Sequence, residues 1–163
     1  MPFTPFHWGP GSMIGLVFFK IFDFTTLIIA SVIIDVEPLS ILIFNLDYPL
    51  HGFFHSFLGG SVIAIFISIA MYFLKTDVNR LMRFFKLEQD SSFKKIVWTS
   101  FFGVYLHILL DSPLYSDMKP FYPLTINPFY GLFTPEQIYL FSGLSFFIAV
   151  LVYLARLLMP HTR

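Results

Sequence analysis

The chain has 163 residues, of which 56% are hydrophobic and 12% charged, with ten Lys/Arg against ten Asp/Glu. A soluble domain this small has too high a surface-to-volume ratio to hide so much apolar surface, 23 Phe included, so the composition points to a polytopic membrane protein. Zero formal charge leaves no basic footprint for nucleic acid, and the lack of Cys excludes disulfides, thiolate nucleophiles and sulfur metal ligands.

The predicted fold is an all-α bundle of about five transmembrane helices, forming a single domain over residues 1–163. The start, Met1 to Gly11, has no basic stretch and holds Pro2, Pro5 and Pro10, so the first apolar run is expected to be a mature helix and not a signal peptide. That run opens at Thr4-Pro5, a cap and first-turn pair. It continues to Phe22, with a kink expected near Pro10 and Gly11. The second span covers Thr25 to Phe44 and is expected to break near Asp35, Glu37 and Pro38. The third runs from His51 to Leu74, the fourth from Phe93 to Asp111, and the fifth from Glu136 to Leu158. Each is near the ~20 residues that a spanning helix needs.

Two connections stand out. Residues 75–95 form a basic loop with Lys75, Arg80, Arg83, Lys86, Lys94 and Lys95. Residues 112–135 form a long loop rich in Pro and aromatic residues, a length usually tied to function. The positive-inside rule puts the basic loop in the cytoplasm. The amino terminus then lies outside and the carboxyl terminus inside, and Lys119 is the one outer cation. Asp47 fits a turn over Asn45–Pro49, and Gly59-Gly60 fits a close helix contact.

Span order alone sends His7, His51, His55 and His107 to one side, together with Asp35, Glu37, Asp47, Asp111 and Asp117. At ~1.5 Å per helical residue these groups meet in the outer half of a ~30 Å core. Ionisable groups at such depth are costly and mark function by default. An unwound stretch around Asp35 needs a protein-lined or wet cavity. His51-x3-His55 and His107-x3-Asp111 each set two donors on one helical face. Two such faces opposed in a bundle offer three imidazoles and a carboxylate, a set suited to zinc, manganese or ferrous iron.

These residues also carry a family resemblance. His51-Gly52-Phe53-Phe54-His55-Ser56 resembles the His-Arg/Gly-x-x-His-Ser motif of the small membrane-bound metal-dependent hydrolases. His107-Ile108-Leu109-Leu110-Asp111 is similar to that family's His-x-x-x-Asp motif, and Thr4-Pro5-Phe6-His7 to its Thr-Pro-x-x-His opening. Asp35-Val36-Glu37 stands at its acidic pair. Gly52 replaces the common Arg, and Glu37 replaces Asp. The resemblance implies a metal-activated water attacking an ester or phosphoester. Its ligands would be His7, His51, His55, His107 and Asp111. Asp35 and Glu37 would complete the shell, hold a second metal or accept the proton. Lys119 would orient an anionic group, or would simply snorkel from the loop. Tyr115, Asp117 and Asn127 would line the mouth. A site below the headgroup level makes a membrane lipid or lipid-linked molecule the expected substrate.

Three other readings compete with this one. A divalent-metal transporter needs ligands near the midplane and access from both faces, whereas acids and His are confined to the outer half. Haem ligation is poorly served by i,i+4 His on one helix. A non-enzymatic membrane protein with a structural metal differs from an enzyme only in activity.

Overall fold

A computed structural model describes residues 4–158, all of whose regular elements are helical. In chain order, a 3-10 turn over Thr4–His7 leads into α1 (Trp8–Val17) and then α2 (Phe24–Ala30). A second 3-10 turn, Ile33–Asp35, precedes α3 (Val36–Phe44), and a third, Phe53–His55, precedes α4 (Phe57–Phe84). Last come α5 (Phe93–Asp111) and α6 (Pro135–Leu158). α1 packs on α6 and α2, α2 on α5, and α5 on α4. The main core joins Ala30 and Ile34 to Ala64, Val104, Ile108 and Met118. Met118 comes from the Pro-rich loop, so that loop plugs one end of the bundle.

Four stretches among the described residues are long and apolar enough to cross a membrane: 24–44, 57–84, 93–111 and 135–158. Large apolar side chains face outward along them, such as Phe73 at 76% exposure and Leu140 at 64%. Water would penalise those faces and lipid does not, so the chain reads as an integral membrane protein. The expected count of five spans drops to four. α1 has only 10 residues, about 15 Å of helix or half of the ~30 Å core. Pro10 sits in the first turn of α1, where its missing N–H leaves no helical bond unmade. Gly9 lets α1 lie directly on α6, since a Cβ there would stand 2.2 Å from the Ser142 carbonyl oxygen.

Three further boundaries differ from expectation. The second span is interrupted at residues 31–35, ahead of Pro38, which lies in the first turn of α3. α4 begins at Phe57 and not at His51, because Ser56 caps it with Oγ accepting from the Gly59 N–H at 3.0 Å. α4 also runs 28 residues, to Phe84. It is therefore about 42 Å long and overruns the ~30 Å core. The first half of the expected basic loop is helical for that reason: Lys75, Arg80 and Arg83 lie in a stretch with no Pro or Gly to stop the helix. The stop comes at Lys86, which takes a left-handed φ of 55°. Lys86 N–H donates to the Arg83 carbonyl and Leu87 N–H to the Met82 carbonyl, closing the helix end.

α6 starts with a reciprocal cap. The Thr134 N–H donates to Gln137 Oε1 at 2.9 Å, and the Gln137 N–H donates to Thr134 Oγ1 at 3.4 Å.

Candidate metal centre

The interruption of the second span creates the site. Where the helix stops, the Ser31 carbonyl is free to accept from His107 Nδ1 at 2.8 Å. That bond fixes the imidazole of a fully buried residue and turns Nε2 toward the cluster. The same interruption turns Asp35 inward. Its Oδ1 lies 3.5 Å from His107 Nε2 and 4.0 Å from His55 Nε2. Asp111, one turn beyond His107 on α5, places Oδ2 3.3 Å from the same Nε2. Donor atoms of Asp35, His55, His107 and Asp111 all lie within 4.8 Å of one another, and all four residues are buried.

His55 reaches this cluster from the short turn before α4, and two glycines allow it. A Cβ on Gly59 would meet the Phe53 carbonyl oxygen at 2.0 Å, and one on Gly60 would meet Val104 and Ile108 of α5 at 2.8 Å. The turn therefore folds back onto α4 while α4 lies tight against α5.

The donors are oriented by outside partners. His55 Nδ1 bonds Glu37 Oε2 at 2.7 Å, and Glu37 Oε1 accepts from the Phe54 N–H at 3.2 Å. Asp111 Oδ1 bonds His7 Nε2 at 3.0 Å, while the His7 ring stacks on His107 at 4.1 Å between centroids. Carboxylate–imidazole and carbonyl–imidazole supports of this kind fix the ring nitrogen that faces an ion.

Within this frame Asp35 Oδ2, His55 Nε2 and His107 Nε2 are buried without a hydrogen-bond partner, as is His7 Nδ1. Buried polar atoms are normally satisfied, so three orphans on members of one cluster require an explanation. A tetrahedral ion with bonds of about 2.0–2.1 Å sets its ligand atoms roughly 3.3 Å apart, and two of the observed separations are 3.3 and 3.5 Å. Two carboxylates also neutralise a dication, which removes most of the cost of burying it. The cluster can therefore hold a metal ion.

The expected site residues divide into three groups. Asp35, His55, His107 and Asp111 form the cluster, so Asp35 joins as a donor. His7 and Glu37 stand behind it as supports. His51 goes elsewhere. It is not on a helix, because residues 51–55 form a loop and a 3-10 turn, so the i,i+4 argument fails for His51 and His55. His51 Nδ1 instead bonds both oxygens of Asp117 at 3.0 Å, and the ring stacks on Tyr115 at 4.0 Å. Burial and the charge of Asp111 push the Tyr115 hydroxyl above its usual range, so it stays protonated. Asn127 braces the Pro-rich loop: its Nδ2 donates to the carbonyls of Ser112 and Tyr115 at 2.8 and 3.1 Å. Lys119 is exposed at the rim of a cleft beside His51. Ser31 acts only through its backbone carbonyl, which no residue pattern announces.

No protein-family model, no curated protein and no solved structure matches the chain.

Proposed function

We propose that the chain is a membrane-embedded metal-dependent hydrolase that cleaves an ester or phosphoester, with a membrane lipid or lipid-linked molecule as substrate and zinc or manganese as the ion. One observation carries the reading: donor atoms of four buried side chains lie within 4.8 Å of one another, and the two imidazole nitrogens that face Asp35, His55 Nε2 and His107 Nε2, have no hydrogen-bond partner. A bound ion would lower the pKa of water and polarise the attacked group. Asp35, His55, His107 and Asp111 would hold it. Glu37 would keep the His55 ring turned, and His7 would do the same for Asp111. Asp35 alone lacks a supporting hydrogen bond; with Oδ1 turned to the imidazoles, its Oδ2 would be the oxygen free to take a proton. The excess of Lys/Arg at the opposite end supports an extracytoplasmic cluster and a cytoplasmic carboxyl terminus.

Four protein donors would equally complete a closed structural site, and activity separates the two readings. Elemental analysis of purified protein is expected to find about one transition-metal ion per chain, and a screen of the metal-loaded protein against phospholipids and phosphoesters to find turnover. His107→Ala is expected to lose the ion and several kcal/mol of transition-state stabilisation, about a thousandfold in rate. His51→Ala is expected to keep the ion, because His51 is committed to Asp117. Metal retained in His107→Ala would overturn the site. Stoichiometric metal without turnover on any ester would leave a structural centre in place of the enzyme.

A further inference from the structure

Beside the metal cluster lies a second polar site. A cleft of about 220 Å³ opens between the turn at Tyr48–Phe53 and the Pro-rich loop. Its lining residues include Asp117 and Lys119 together with the aromatic residues Tyr48, Phe53 and Tyr122. The two charges do not pair with each other; Asp117 is held by His51, and among the described residues Lys119 makes no ion pair. Opposite charges that face one cleft and stay apart are complementary to a ligand with the reverse pair. Aromatic walls favour the cationic end of such a ligand, since an ammonium is drawn to the face of a ring.

The cleft abuts the metal cluster through a thin wall. The His51 ring touches the His55 ring, with centroids 5.1 Å apart. Between them Gly52 has no room for a side chain: a Cβ would stand 2.1 Å from the Tyr48 ring and 2.6 Å from Glu37 Oε1. Glu37 in turn holds His55. A group seated in the cleft therefore sits two side chains away from the candidate ion.

Size narrows the occupant. Pockets for whole drug-sized ligands run to roughly 300 Å³ and above, so this cleft takes a compact group and leaves any attached chains outside. The exposed apolar helices place acyl chains next to the protein from the start.

We infer that the cleft is a binding site for a zwitterionic amine–phosphate group, the phosphate paired with Lys119 and the ammonium set against Asp117 and the tyrosine rings. The group is that of phosphoethanolamine, whether free or as the headgroup of phosphatidylethanolamine. The inference deepens the hydrolase reading by naming the substrate class, and it is tested by binding alone.

Full-length protein in a sugar-headgroup detergent is titrated with soluble phosphoethanolamine, glycerol phosphate and ethanolamine. Protein in nanodiscs is then compared in phosphatidylethanolamine and phosphatidylglycerol, by binding of a fluorescent analogue of each lipid. Phosphoethanolamine is expected to bind more tightly than either half-ligand. Loss of a hydrogen bond to a charged group weakens binding about tenfold. That loss is expected for Lys119→Gln, with recovery in Lys119→Arg. Asp117→Asn, which still accepts from His51, is expected to erase the preference for phosphatidylethanolamine over phosphatidylglycerol. Both positions are exposed, so folding is preserved, and an unchanged elution volume and metal content verify it. Binding only in nanodiscs identifies the lipid as the source, and equal binding of the soluble group identifies the free ester. Glycerol phosphate binding as well as phosphoethanolamine, or indifference to both substitutions, overturns the inference. Ester turnover that survives these failures leaves the hydrolase standing without this headgroup. Selective binding without turnover on any ester leaves a lipid-binding site and removes the hydrolase.

Discussion

Two buried polar clusters lie at opposite ends of the bundle, and they are built on opposite rules. At one end Asp23 caps α2 and is saturated. Its Oδ1 accepts from the Thr26 N–H at 3.0 Å and the Thr26 hydroxyl at 2.7 Å, and its Oδ2 accepts from Ser91 Oγ at 2.6 Å and from Lys75. Gln89 completes the knot, donating to the carbonyls of Phe19 and Phe22 and accepting from the Phe24 N–H. At the other end the Asp35–His55–His107–Asp111 cluster is equally buried but keeps three donor atoms unmatched. A saturated knot ties α2, α4 and the connection before α5 together and has nothing left to offer a ligand. An unsaturated one has donor capacity held in reserve. Ionisable residues deep in a bundle thus mean different things according to what their lone pairs already touch.

The largest expected effect separates the clusters by stability. Asp23→Ala strands Lys75, whose side chain is only 12% exposed. Breaking a buried pair by removing one partner costs about 3–5 kcal/mol, and denaturation in detergent is expected to show a loss of that size with the metal content unchanged. A metal-depleted but stable Asp23→Ala protein would show that the two ends do not divide structure from ion binding.

A smaller effect sharpens the other side. Glu37→Gln keeps a hydrogen bond to His55 Nδ1 but removes the charge that makes the ring a better donor. Changes at such supports typically weaken metal affinity about 10–100-fold, measurable by competition with a chromophoric chelator. Stability without metal is expected to change little. An unaltered affinity would mean that His55 does not bind the ion.

The residue pattern reached the helices and the polar side of the bundle because both follow from strong local signals. Long apolar runs leave few alternatives to spanning helices. Span order carries His7, Asp35, His55, His107 and Asp111 to one end whatever the details of packing. What it could not reach depends on backbone that leaves the helical repeat. His51-x3-His55 has helical spacing, yet Ser56 is the cap and the pair precedes the helix, so His51 turns to Asp117. Asp35 becomes a donor only because the helix stops at Ala30, well ahead of Pro38, and the Ser31 carbonyl exists as an acceptor for the same reason. Lys75 looks like loop charge in the sequence, but α4 continues through it and brings it to Asp23.

The smallest expected effect concerns pH and again divides the two ends. Burial by itself would raise the Asp23 carboxyl, but its bonds to Lys75, Ser91 and Thr26 outweigh that and hold it below the usual carboxylate range. A carboxyl depressed in the folded state adds stability that is fully present above its unfolded pKa of about 3.9 and is lost as pH falls through the folded value. Lys75 and Lys95 are the charged groups that face it. The difference in unfolding free energy between the wild type and Asp23→Asn is therefore expected to be flat from pH 7 to about 4 and to shrink below it. Taking the difference cancels any contribution of the Asp35–His55–His107–Asp111 cluster, which both proteins share. A difference that begins to fall near neutrality would place an imidazole, and not Lys75, in control of Asp23, and the two polar ends would then be coupled through the bundle.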